Sequence, residues 1–136
     1  EHTFNGCTRI KYAMNTIGYF EIQSSDVERD IQFYKAIFGW TFITQEFVPI
    51  EYYLIETNSI SGGILKRPAP VPPSGTNAFV CSIQVDNFDT ASESILNNGG
   101  KVPLPKFAIP KKCWQGYFID PDNNTFEIFE VDENAK

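Results

Sequence analysis

The stretch IGYFEIQSSDVERDIQFYKAIFGW, residues Ile17 to Trp40, reads as a complete strand, turn, helix and exit. Its first six residues are rich in β-branched and aromatic types. Ser24-Ser25-Asp26 then interrupts the strand and offers side-chain oxygens to a helix N-terminus. Ser25 with Glu28 three residues on fits a capping box. Val27, Ile31, Tyr34, Ile37 and Phe38 recur at steps of three and four, which predicts one apolar helix stripe. Gly39 stops the helix.

Working outward, three short extended segments follow Trp40: Thr41 to Gln45, Glu51 to Glu56 and Ile60 to Leu65. Pro49, Asn58-Ser59 and Pro68 set their limits. Residues 67–75, RPAPVPPSG, hold four of the nine prolines, which forbids helix and suits a semi-rigid connector. From Asn77 the pattern begins again. A strand is predicted over Ala78 to Val85, a break at Asp86-Asn87, and a weaker amphipathic helix carrying Phe88, Ala91, Ile95 and Leu96 that ends at Gly99-Gly100. Val102 to Ile109, Trp114 to Ile119 and Thr125 to Val131 complete the set, the last two joined by the turn residues Asp120-Pro121-Asp122-Asn123-Asn124. Setting Gly39 on Gly100 also sets Val27 on Phe88 and Tyr19 on Val80, so the chain reads as two βαβββ modules, 16–66 and 76–131. They make a single α+β domain over 16–131 with a short tail at 132–136. Residues 1–15 read as an upstream extension or a short added strand, because the only methionine, Met14, directly precedes the first predicted strand.

The fold expected from this pattern is one eight-stranded curved sheet around a cavity, with the helices on its convex side. Alternation assigns the faces. Phe20 and Ile22 go under the first helix, leaving Tyr19, Glu21 and Gln23 in the cavity. Phe79, Cys81, Ile83 and Val85 go under the second, leaving Val80, Ser82 and Gln84 inward. Phe126 and Ile128 take the helix side, so Thr125, Glu127 and Phe129 face the cavity.

Bulk composition narrows the function classes. A net charge of −6 with eleven scattered basic residues argues against nucleic acid or an anionic membrane as partner. There is no run of eighteen apolar residues and no signal-peptide core, so neither a membrane span nor secretion has support. Cys7, Cys81 and Cys113 are an odd number at no metal-like spacing, and Cys81 falls in an apolar strand pattern that predicts a buried thiol. A reducing, cytoplasmic setting fits best.

From Ile17 to Val131 the chain resembles a vicinal oxygen chelate domain, the superfamily of glyoxalase I, extradiol dioxygenases and bleomycin resistance proteins. The resemblance rests on FEIQSSDVERDIQFYKAIFGW, the Gly62-Gly63 pair, VDNFDTASESILNNGGKV and DPDNNTFEIFE taken together. The wording looks most like the glyoxalase-related branch that lacks the usual ligands. In metal-dependent members, His or Glu side chains on the first and last strands of each module converge on a divalent cation whose open positions hold vicinal substrate oxygens. Carried across, Tyr19 stands where the family has His, and Val80 replaces His again. The fourth-strand position falls at Gly62, Gly63 or Ile64, and only Glu127 is retained. One carboxylate does not make a catalytic metal site, and the sole histidine, His2, lies in the extension, so no metal and no cofactor are expected.

The candidate site residues are therefore Tyr19, Glu21, Tyr52, Val80, Ser82, Trp114, Glu127 and Phe129, with Glu127 the one catalytic candidate. Functionally, Glu127 is a desolvated general base or a ligand acceptor; structurally, it is a relic bonded to Tyr19. Tyr52, Tyr53 and Trp114 serve as aromatic walls or as recognition residues. Three readings follow: a metal-independent small-molecule protein with a residual lyase or isomerase activity at Glu127, a sequestering binder of the bleomycin-resistance kind, and a metal-dependent lyase or dioxygenase. A homodimer is expected, because open sheet edges in this superfamily are commonly covered by a second copy.

Overall fold

The computed structural model describes residues 2–4, 7–9, 19–46, 48–67 and 80–136. The chain divides into two compact units, Glu1–Pro70 and Val71–Lys136. The first holds β1 (His2–Phe4), β2 (Cys7–Arg9), β3 (Phe20–Ser24), α1 (Val27–Phe38), β4 (Thr41–Thr44), β5 (Tyr52–Glu56) and β6 (Gly62–Lys66). The second holds β7 (Ser82–Gln84), α2 (Phe88–Asn97), β8 (Phe107–Ile109), β9 (Cys113–Ile119) and β10 (Thr125–Val131). Both units thus contain the expected βαβββ order. In the upstream extension, β1 and β2 pair antiparallel as a separate two-stranded sheet.

Each module builds its own four-stranded sheet, in the orders β3-β6-β5-β4 and β7-β10-β9-β8. In both, the first strand lies parallel to the last, with Phe20 opposite Gly62 and Ser82 opposite Glu127, and the remaining pairs are antiparallel. Only the helical crossover allows a parallel neighbour; the other strands follow one another by short returns.

In module one the helix stripe buries Val27, Ile31 and Tyr34 as the spacing predicts, and Phe33 joins them. Val27 and Ile31 form a core with Ile55 and Ile64, against which Phe20, Ile22, Trp40, Phe42 and Tyr53 pack. Trp40 stacks on Tyr34 at 5.6 Å and on Phe38 at 5.0 Å, so the residue just past the helix end closes the core. Gly39 adopts φ +68°, the left-handed cap that lets the chain turn toward Trp40. The helix start corrects the sequence reading: Asp26, not Ser25, is the N-cap, its carboxylate accepting from Arg29 N at 3.1 Å. Ser24 lies buried below it, accepting from Asp26 N at 3.1 Å and donating to Asp30 Oδ2 at 2.5 Å. Asp30 is fully buried and also receives Arg29 Nε at 2.9 Å. A carboxylate removed from water requires such donors, and here they fasten the first helical turn to the end of β3.

In module two, Phe88, Ile95, Phe118, Phe126 and Ile128 are buried, with Phe118 ringed by Phe88 and Phe126 at 6.0 Å each. Asn87 caps α2 by accepting from Thr90 N at 2.8 Å, and Glu130 on β10 accepts from Phe88 N at 2.7 Å. The β9–β10 hairpin turns as predicted, Asp120 Oδ1 accepting from the backbone of Asp122 and Asn124 at 2.8 Å each.

Other expectations change. The strand expected over Val102 to Ile109 shrinks to β8, because Pro103 and Pro105 remove the amide donors that a ladder needs; Lys101 keeps only an isolated bridge to Ile119. Cys81 is exposed rather than buried, lying ahead of the short β7, and Leu96 at 50% exposure has left the helix stripe. Ile17, most of the proline-rich connector and Phe79 lie outside the described residues. Hydrogen bonding groups the eight module strands as two sheets of four; a single continuous sheet remains the sequence expectation.

Candidate functional site

Each sheet has one face under its helix and one face turned away from it. Register now fixes both. In module one, Phe20, Ile22, Tyr53, Ile55 and Ile64 share the helix side, so Glu21, Tyr52, Leu54 and Gly63 share the far side. In module two, Ile128 and Phe126 lie on the helix side with Gly116 and Phe118, and the far side carries Ser82, Gln115, Tyr117, Glu127 and Phe129.

On the far side of module one, the Tyr52 ring folds over Gly63. A Cβ on Gly63 would collide with the Tyr52 hydroxyl and ring, so only glycine fits beneath it. The hydroxyl sits 2.8 Å from Glu21 Oε2 and 2.7 Å from the Tyr19 hydroxyl. A carboxylate only accepts, so Tyr52 donates to Glu21 and Tyr19 donates to Tyr52. Proton direction thus runs Tyr19 to Tyr52 to Glu21. Burial, and then the bonds to Tyr19 and Glu21, push the Tyr52 phenol well above its ordinary titration range. Tyr52, read as an aromatic wall, uses its hydroxyl as much as its ring. Tyr53, two-fold alternate to it, faces the helix core instead.

On the far side of module two, Glu127 is 9% exposed and stands directly between Ser82 on β7 and Tyr117 on β9. Its Oε2 accepts a short bond from Gln115 Nε2, and its Oε1 accepts from no described residue. Tyr117 stacks on Phe107 at 6.2 Å. Phe129 lies half-buried opposite Gln115. The sequence reading missed Gln115, Tyr117 and Phe107. Alternation within β9 carried the signal for the first two: Gly116 and Phe118 have the helix-side parity, which leaves Gln115 and Tyr117 beside Glu127.

Trp114 is corrected. It pairs with Glu130, which shares the helix side with Ile128 and reaches the N-terminus of α2. Its ring lies 4.5 Å from Lys106 Nζ, which also sits 5.3 Å from the Phe88 ring and 3.1 Å from Asp89 on α2, and its indole donates to Asp132 at 3.0 Å. This tryptophan clasps the 101–106 loop to the helix side and does not line the far face. Val80 is half-buried just ahead of β7, and Ser82 is exposed within it. The pairing of Tyr19 with Glu127 would cross the two units and stays an expectation. A separate cavity of about 390 Å³ opens at the end of α1, lined by Phe38, Gly39, Trp40, Thr41, Glu56, Thr57 and Asn58; no predicted site residue lines it.

With this geometry in place, comparison with known proteins decides the family. Residues 16–128 match the family model of the Glyoxalase/Bleomycin resistance protein/Dioxygenase superfamily. The chain belongs to that superfamily. A glyoxylase-like domain-containing protein of Didymella fabae is 31% identical over 119 residues, which cover 82% of this chain and 91% of that protein. CFP32 of Mycobacterium tuberculosis, a candidate glyoxylase, is 22% identical over 130 residues, 93% of this chain but 49% of its own length. The chain therefore spans about half the length of the mycobacterial relatives that it matches. A crystal structure of a glyoxalase/bleomycin resistance protein/dioxygenase family enzyme from Burkholderia phytofirmans PsJN aligns with a TM-score of 0.70 at 22% identity, covering 84% of this chain and 97% of that one. That likeness concerns the fold.

The metal that the superfamily implies does not fit the donors seen here. Register makes Gly63, beside β3, the counterpart of Glu127, beside β7, and the Tyr52 hydroxyl fills the space where a ligand side chain would stand. The Tyr19 hydroxyl is engaged by Tyr52. Among the described residues, no three His, Cys, Asp or Glu side chains converge on one point. No helix among them is long and apolar enough to cross a membrane.

Proposed function

We propose that this superfamily member binds a small organic molecule on the far face of its module-two sheet, without a metal, and that Glu127 is the group that meets it. The observation that carries this reading is the state of that carboxylate. It is largely withdrawn from water, one oxygen is fixed by Gln115, and the other has no described partner. Among the described residues no buried side-chain oxygen lacks a partner, so this second oxygen still reaches solvent and is placed to accept from a ligand donor. A buried carboxylate of fixed orientation is also equipped to remove a proton from a bound ligand, so lyase or isomerase chemistry at Glu127 is part of the proposal.

The stacked Phe107–Tyr117 pair beside Glu127 favours a second reading, a sequestering binder that holds a flat ligand without altering it. Mass spectrometry of molecules released from the purified protein tests both. A stoichiometric organic ligand supports binding, and return of the same ligand unchanged after incubation selects the sequestering reading. Glu127→Gln should keep the melting temperature within a few degrees while weakening that ligand at least tenfold. Unchanged affinity with a large loss of stability would assign Glu127 to the architecture. The edges of the two sheets, β4 and β8 among them, support a homodimer as the working assembly; sedimentation as a 15.4 kDa species at micromolar concentration would remove it.

A further inference from the structure

The chemistry of the far faces restricts what kind of molecule they take. Two far-side carboxylates, exposed Glu21 and buried Glu127, each have one oxygen engaged. Glu21 Oε2 receives Tyr52 and its Oε1 has no described partner; Glu127 Oε2 receives Gln115 and its Oε1 has none. The hydroxyl proton of Tyr52 is committed to Glu21 and that of Tyr19 to Tyr52, so the module-one chain ends in an acceptor. Far-side positions on the eight described module strands include Glu21, Glu56 and Glu127 and no lysine or arginine. Tyr117 stands opposite Glu127 on the neighbouring strand and stacks on Phe107, aromatic surface of the kind from which a cation gains.

We propose that the far face of module two takes an organic molecule bearing hydrogen-bond donors on an aromatic body, an aromatic amine or amidine, and discriminates against carboxylates, phosphonates and other anions. The donor would bridge to the open oxygen of Glu127, and the ring would lie against Phe107 and Tyr117. An anion brought there would meet a carboxylate with no counter-charge among the described residues, a like-charge contact. The net charge of −6 attracts cations to the surface in the same sense. The proposal rests on the binding role of that far face given above and adds the class of ligand.

The test uses the full chain and four probes of similar size: benzylamine, benzamidine, benzoate and phenylphosphonate. Binding is followed by amide chemical-shift titration, on the native protein and on Glu127→Gln and Tyr117→Leu. The two cationic probes should shift amides of β9 and β10 and bind at least tenfold more tightly than the anions, and Glu127→Gln should abolish that preference. Tyr117→Leu, which removes the ring beside Glu127, should weaken the cationic probes and repeats the test should Glu127→Gln fail to fold. Benzoate or phenylphosphonate binding as tightly as benzamidine at β9 and β10 would overturn the ligand class and leave the binding role intact. Cationic binding unaffected by both substitutions, or no binding by any probe, would also overturn the proposal. Loss of the binding role itself would show separately, as a protein that releases no organic ligand on denaturation.

Discussion

The two modules share order, register and helix placement, yet they put their far-side carboxylate on opposite members of the same strand pair. In module one it is Glu21 on the first strand, facing Gly63; in module two it is Glu127 on the last strand, facing Ser82. The reason is the neighbour. Tyr52 as it lies over Gly63 occupies the space a side chain there would need, and the acid stands across the pair and receives the tyrosine hydroxyl. Tyr117 lies beside Glu127, stacked on Phe107, and leaves it room. A repeated backbone thus fixes where side chains point, while one aromatic rotamer decides which position can carry chemistry.

The glycines give the sharpest way to break the comparison. Gly116 lies on the helix side, where a Cβ would come within 2.7 Å of the buried Phe88 ring. Gly116→Ala should destabilise by about 3 kcal/mol, the upper range for overpacking a core, read as a lower melting temperature. Gly63→Ala also collides, but with the outer end of a half-buried tyrosine that can swing aside. It should cost about 1–2 kcal/mol, mainly the hydrogen bonds to Glu21 and Tyr19, and much less when made in a Tyr52→Ala background. Equal costs for the two glycines would remove the distinction between the faces.

Lys106→Ala should cost about 1 kcal/mol through its stacking on Trp114, the pair with exposed Asp89 adding little. It should leave ligand binding unchanged, since this cluster lies on the helix side. The smallest effect concerns alkaline pH. The folded protein raises the Tyr52 pKa above its unfolded value near 10, so the native state holds the proton more tightly and stability falls as pH rises past 10. Tyr52→Phe should flatten that part of the stability profile.

Much of this was legible in the sequence because it is governed by local periodicity. The helix stripe of Val27, Ile31 and Tyr34, the turn at Asp120 to Asn124 and the parity that sends Glu127 away from Phe126 and Ile128 need only 3.6- and 2-residue spacings. The superfamily came instead from the resemblance carried by the four quoted motif stretches, which the family match over residues 16–128 bears out. Cross-strand register is not local, and here the sequence ran out. The repeat is not constant along the chain: Ser82 follows Glu21 by 61 residues, but Glu127 follows its counterpart Gly63 by 64, so no single offset picks out the fourth-strand position. Trp114 went to the wrong face because its parity depends on pairing with Glu130. Asp26 displaced Ser25 as cap because Ser24 and buried Asp30 hold the turn one residue further on. That Tyr52 covers Gly63 depends on two residues eleven apart meeting across β5 and β6, a contact set by pairing geometry and one rotamer, which tertiary structure alone decides.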